Sequence, residues 1–220
     1  MFHRADSFLK NKVRGFTLIE LLIVIAIILI LIAIALPNFL EAQMRAKVAR
    51  AEGEMRGLAT AIESYRTDYR RYPPNAFYEK TQFNPTFPLP VNVYGLMQLT
   101  TPVKYITQLP LDPFVPQDGV IKNGSNGDTI TPSAPDKAHG LTYFYWSQES
   151  LRVNFQTETA DAMKNNGINW VLLSVGPDSD LDTINLDPND MGAMRIGATK
   201  WTYNPTNGSK SSGDISRARP

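Results

Sequence analysis

Cysteine is absent from all 220 residues of the chain. This excludes disulfides, thiolate metal sites and cysteine nucleophiles, so a folded part outside the cytoplasm must be stabilised by packing, a metal or oligomerisation. Histidine is almost as scarce, with only His3 and His139. His139 stands alone in a Gly/Pro-rich neighbourhood, and no H-E-x-x-H, glycine-rich phosphate loop or G-x-S-x-G accompanies it. The charge excess of a nucleic-acid binder is also lacking, since 22 basic residues face 21 acidic ones. These absences point away from an enzyme and from a nucleic-acid partner. Catalysis by carboxylates alone is the one enzymatic reading left open.

The charge is unevenly placed. Met1–Gly15 carries Arg4, Lys10, Lys12 and Arg14 against Asp6, which leaves 18 basic and 20 acidic residues in the remainder. A 21-residue run follows, Phe16 to Leu36, in which only Thr17 and Glu20 are polar. As a helix it spans about 31 Å at ~1.5 Å per residue, enough to cross a bilayer. A basic start before an apolar run orients such a segment with its start in the cytoplasm. A secretory signal peptide, with Ala33-Ile34-Ala35 as its cleavage site, is disfavoured because the run is too long and contains a carboxylate. A plain anchor leaves Glu20 without a role, and an acidic residue inside a span is costly.

Beyond Pro37, a helical pattern continues to about Arg70. Met55, Leu58, Ala59, Ile62, Tyr65 and Tyr69 recur at steps of three and four and predict one apolar stripe, with Arg56, Glu63, Arg66 and Asp68 off it. Pro73 and Pro74 end the helix. Three strands are predicted at Leu141–Trp146, Leu151–Thr157 and Asn169–Val175, and 122–135 is read as a surface loop rich in Gly, Asn and Ser. Between Asp178 and Asp190 lie five aspartates, Asp178, Asp180, Asp182, Asp187 and Asp190. Such a density of hard oxygen ligands suits calcium. An EF-hand is rejected, because Thr183 stands where the loop needs glycine and Asn189 where it needs glutamate. A solvated acidic loop whose aspartates cap turns is the alternative.

Lys12-Val13-Arg14-Gly15-Phe16-Thr17-Leu18-Ile19-Glu20 resembles the prepilin processing site of type IV pilins and type II secretion pseudopilins. Three further elements resemble the major pseudopilin: Tyr65 to Pro73 (Y-x-x-D-x-x-x-Y-P), Leu109 to Phe114 (L-P-x-D-P-F) and Ser174 to Asp178 (S-x-G-P-D). The resemblance implies an α+β, pilin-like fold, with a long N-terminal helix packed on a small antiparallel sheet and a C-terminal loop region. It implies a leader at 1–15, a transmembrane and filament-core helix at 16–36, its soluble half at 37–72, a periplasmic domain at 73–203 and a flexible tail at 204–220. Cleavage by prepilin peptidase would fall between Gly15 and Phe16, with N-methylation of Phe16. Glu20 would pair with the new amino group of a neighbouring subunit. The S-x-G-P-D element leads into a calcium loop in the family, although the acidic pair closely followed by Ile and Trp is missing here. The implied product is a homo-oligomeric filament anchored in the inner membrane, lipid-embedded before assembly, with an assembly platform and minor pseudopilins as partners. A surface type IV pilin and a monomeric tethered binding protein are the competing readings.

Overall fold

The computed structural model describes residues 15–74, 95–116, 121–123, 129–130, 142–153, 157–181, 203–204, 211 and 213–219. The chain divides into two units, Met1–Leu40 and Glu41–Pro220. Helix α1, Leu18–Tyr69, contributes to both.

In the first unit, α1 is apolar on every side and exposed all round, with Leu18 at 88% and Ile34 at 65% exposure. Such a surface needs lipid or other apolar helices around it. The helix is long and apolar enough to cross a membrane. Pro37 lies inside it, where the missing N–H removes one i→i−4 bond.

In the second unit, the predicted stripe is buried: Met55, Leu58, Ala59, Ile62 and Tyr65, preceded by Val48 and Ala51. Tyr69 is the exception, half-exposed and stacked on Tyr65 at 4.4 Å between ring centroids. The solvent side carries i,i+4 pairs between Glu41 and Arg45 and between Glu52 and Arg56, while Arg50 pairs with the partly buried Glu54. Exposed pairs of this kind contribute about 0.3–0.5 kcal/mol each. The helix ends where Arg70 turns left-handed at φ 56°, while its N–H still donates to Arg66 O at 2.8 Å.

The stripe shares one core with a three-stranded antiparallel sheet. Its strands are β3 (Phe144–Ser147), β4 (Trp170–Ser174) and β6 (Ile215–Arg219), with β4 central. All five β4 residues are buried, as befits a strand covered on both faces. A second small sheet has the order β2-β1-β5, from Ile121–Asn123 (β1), Thr129–Ile130 (β2) and Asp180–Leu181 (β5).

Three sequence expectations are corrected. Leu151–Thr157 is not a strand: Gln148–Val153 forms helix α2 and Thr157–Asn165 forms helix α3. Ser147 Oγ accepts the Ser150 N–H at 3.3 Å, a serine cap that starts a helix directly after β3. The 122–135 stretch is not only loop, since β1 and β2 pair within it. The third strand of the main sheet instead comes from 204–220, expected to be a flexible tail. There β6 pairs with β4 over five residues, from Trp170 opposite Arg219 to Ser174 opposite Ile215.

Candidate functional site

The residues expected to serve processing and assembly, Gly15, Phe16 and Glu20, lie at the start of α1. Thr17 is the N-cap. Its N–H and hydroxyl both donate to Glu20 Oε2, at 2.9 and 2.8 Å, and Glu20 N–H donates back to Thr17 Oγ1 at 3.3 Å. This is a reciprocal capping box, which satisfies N–H groups that a helix start leaves open. Gly15 and Phe16 precede it, both exposed. A Cβ added at Gly15 would meet nothing within 4 Å. The folded chain therefore gives no steric reason for glycine there.

The loop after β4 is built by close backbone approach. Gly176 has φ +70°, and a Cβ on it would lie 2.3 Å from Gly213 O. Only glycine fits such a position. The turn then carries Asp178, Ser179 and Asp180. Asp178 Oδ1 accepts the Asp180 N–H at 3.3 Å, and Ser179, itself left-handed at φ 58°, donates from Oγ to Phe114 O at 2.7 Å. Asp180 Oδ1 is buried and has no hydrogen-bond partner among the described residues. Of the five aspartates expected to bind calcium, Asp178 and Asp180 thus share one turn. Asp182, Asp187 and Asp190 lie outside the described residues, as does His139.

Asp112 ties this loop to the rest of the domain. It is 4% exposed, and it accepts the Phe114 N–H on Oδ1 at 3.0 Å and the Val175 N–H on Oδ2 at 3.1 Å. The L-P-x-D-P-F and S-x-G-P-D elements, about sixty residues apart, are thereby locked together. Burial pushes the Asp112 carboxyl up to about 6, against the pull of the two N–H donors.

Two further carboxylates on α1 reach inward. Glu54 Oε2 accepts the Tyr143 hydroxyl at 2.7 Å, while its Oε1 accepts Arg50 Nε at 2.8 Å. Burial, then this bond, push the Tyr143 phenol well up. Glu63 Oε1 accepts Trp170 Nε1 at 2.7 Å, and its Oε2 pairs with Arg219 Nη1 at 3.1 Å. Sequence reasoning placed Glu63 off the apolar stripe and gave it no partner. The overlooked signal was its position beside Ile62, combined with a tryptophan whose indole N–H needs an acceptor once buried.

None of this geometry assembles a nucleophile, a base and an oxyanion pocket. It comprises an apolar helix long enough to cross a membrane, a capped start bearing one carboxylate, and a small α+β domain. Comparison with known proteins agrees. Residues 10–36 match the prokaryotic N-terminal methylation motif. The chain is 52% identical over 59 residues to the type IV major pilin protein PilA of Myxococcus xanthus, covering 27% of each. It is 33% identical over 110 residues to type II secretion system core protein G of Pseudomonas aeruginosa, covering 48% of this chain and 70% of that one. With core protein G of Escherichia coli it shares 30% identity over 132 residues, covering 59% of this chain and 87% of that one. No solved structure matches the chain. The chain belongs to the pilin-like family of type II secretion core proteins G and type IV pilins, whose members are structural subunits and not enzymes.

Proposed function

We propose that this chain is the major pseudopilin of a type II secretion system, cleaved between Gly15 and Phe16, N-methylated on Phe16 and polymerised into a periplasmic filament. The extent of likeness carries this reading. Similarity to core protein G runs over 110 and 132 residues, well into the globular domain, whereas similarity to the pilin spans 59 residues. The processing motif is common to both, so the domain is where they part. In the filament, Glu20 leaves its bond to Thr17 and pairs with the Phe16 amino group of a neighbour. A charge among apolar helices needs such a partner, and the pairing sets the register between subunits.

The same reading includes a structural calcium ion. The buried, unpartnered Asp180 Oδ1 beside Asp178 supports it, since an orphaned carboxylate oxygen is costly unless a cation or donor meets it. Backbone carbonyls and the later aspartates would complete six to eight oxygens. The ion would pin the loop that Gly176 and Asp112 already position.

Removing the chain from its cells tests the main reading. Loss of protein export with surface fibres intact supports the pseudopilin. Loss of surface fibres with export intact makes it a type IV pilin, for adhesion, motility or DNA uptake.

A further inference from the structure

Between α1 and the edge strand β6 runs an open groove of about 610 Å³, lined by Arg56, Thr60, Glu63, Ser64, Arg217 and Arg219 among others. Its chemistry follows from the register. Arg219 stands opposite Trp170 and Arg217 opposite Leu172, so both arginines emerge on the sheet face that Trp170 presents to Glu63 of α1. Arg219 is held by Glu63 at 3.1 Å. Arg217 is exposed and has no carboxylate partner among the described residues. Arg56 is likewise held by Glu52 at 3.1 Å, so Arg217 is the arginine of the groove left to take a carboxylate from outside.

The same chain supplies a matching ligand. The stretch from Asp178 to Asp190 holds five aspartates and no basic residue. A calcium ion bound there would still leave it net acidic, because five carboxylates exceed two positive charges. We infer that the groove between α1 and β6 receives the aspartate-rich 178–190 segment of a second copy of this chain. This inference rests on the filament reading. A contact between two different patches of identical subunits does not close on itself, and it propagates as an open helical array. Long-range attraction between the patches also speeds and orients docking.

The absence of native cysteine makes the test direct. In the full chain, expressed in its own cells, Arg217→Cys is combined with Asp182→Cys or Asp187→Cys, and sheared filaments are oxidised. At least one pair should give a ladder of covalent multimers, whereas Arg217→Cys with the exposed Glu149→Cys should give none. Independently, Arg217→Glu should cut filament yield about tenfold with the membrane-held subunit unchanged in amount, since like charges then face each other, and Arg217→Lys should keep most of it. Filaments that form normally with Arg217→Glu and give no ladder from either pair overturn the inference and leave the filament reading intact. If the unaltered chain forms no filament, the reading beneath the inference fails with it.

Discussion

The indole Nε1 of Trp170 donates to Glu63 Oε1 at 2.7 Å, and the other oxygen of that carboxylate holds Arg219 at 3.1 Å. One side chain of α1 thus fixes the central strand and the last strand of the sheet. Glu63→Ala removes a charge-assisted acceptor and leaves a buried N–H and a guanidinium unpaired. A loss of about 1.5–3 kcal/mol is expected, read by urea unfolding of the chain in detergent. Glu63→Gln, which keeps an acceptor for Trp170, should lose less.

Asp112 predicts a pH dependence. Its carboxyl stands at about 6 in the fold against an ordinary 3.8, so the folded chain binds this proton more tightly than the unfolded chain. The stability it contributes is full below the ordinary value and is lost as pH rises through about 6. At roughly 1.4 kcal/mol for each tenfold change in proton affinity, the swing is of order 2–3 kcal/mol. Asp112→Asn should show a flatter stability profile between acid and neutral pH. An unchanged profile would contradict this account of Asp112.

Glycines at two kinds of site should respond oppositely. Gly176→Ala places a Cβ 2.3 Å from Gly213 O at a left-handed φ, and should destabilise strongly. Gly53→Ala and Gly57→Ala, where a Cβ meets nothing within 4 Å inside α1, should each raise stability by up to about 1 kcal/mol. Thermal unfolding of the three variants separates the cases.

Long regular features were legible in the sequence, and long-range ones were not. The apolar run and the three-four stripe gave α1 because each follows a local period. Leu151–Thr157 has strand-like composition, yet the cap at Ser147 makes Gln148–Val153 helical. Strand β6 alternates over Ile215-Ser216-Arg217-Ala218-Arg219, but five residues beside a Gly/Ser-rich stretch carry little signal without the partner strand β4. The expectations for Gly15, Phe16 and Glu20 rest on a motif and not on a period. The inward roles of Glu54 and Glu63 depend on residues about ninety and more than one hundred positions away, which no local pattern contains.

Calcium should raise the melting temperature of the chain with increasing concentration, because a ligand that binds only the folded state stabilises it by mass action. Asp180→Ala should abolish that rise while relieving the unpartnered oxygen of Asp180. A rise that magnesium reproduces equally would refute a calcium-specific loop.

Glu20 is expected to be dispensable for folding and essential for assembly. Glu20→Ala should leave the subunit stable in the membrane with filaments absent. Thr17→Val removes the hydroxyl half of the capping box but keeps the carboxylate, and should reduce assembly less than Glu20→Ala does. Filaments that form normally with Glu20→Ala would contradict this role of Glu20, whereas an unaltered chain that forms no filament and whose function survives Glu20→Ala would point to a monomeric tethered protein.

The central claim is processing, and the intact mass and first residue of the chain purified from its own membranes test it most directly. The account predicts a chain that begins at Phe16 and carries one methyl group on its amino nitrogen. A chain that begins at Met1, or one cut after Ala35, would contradict it.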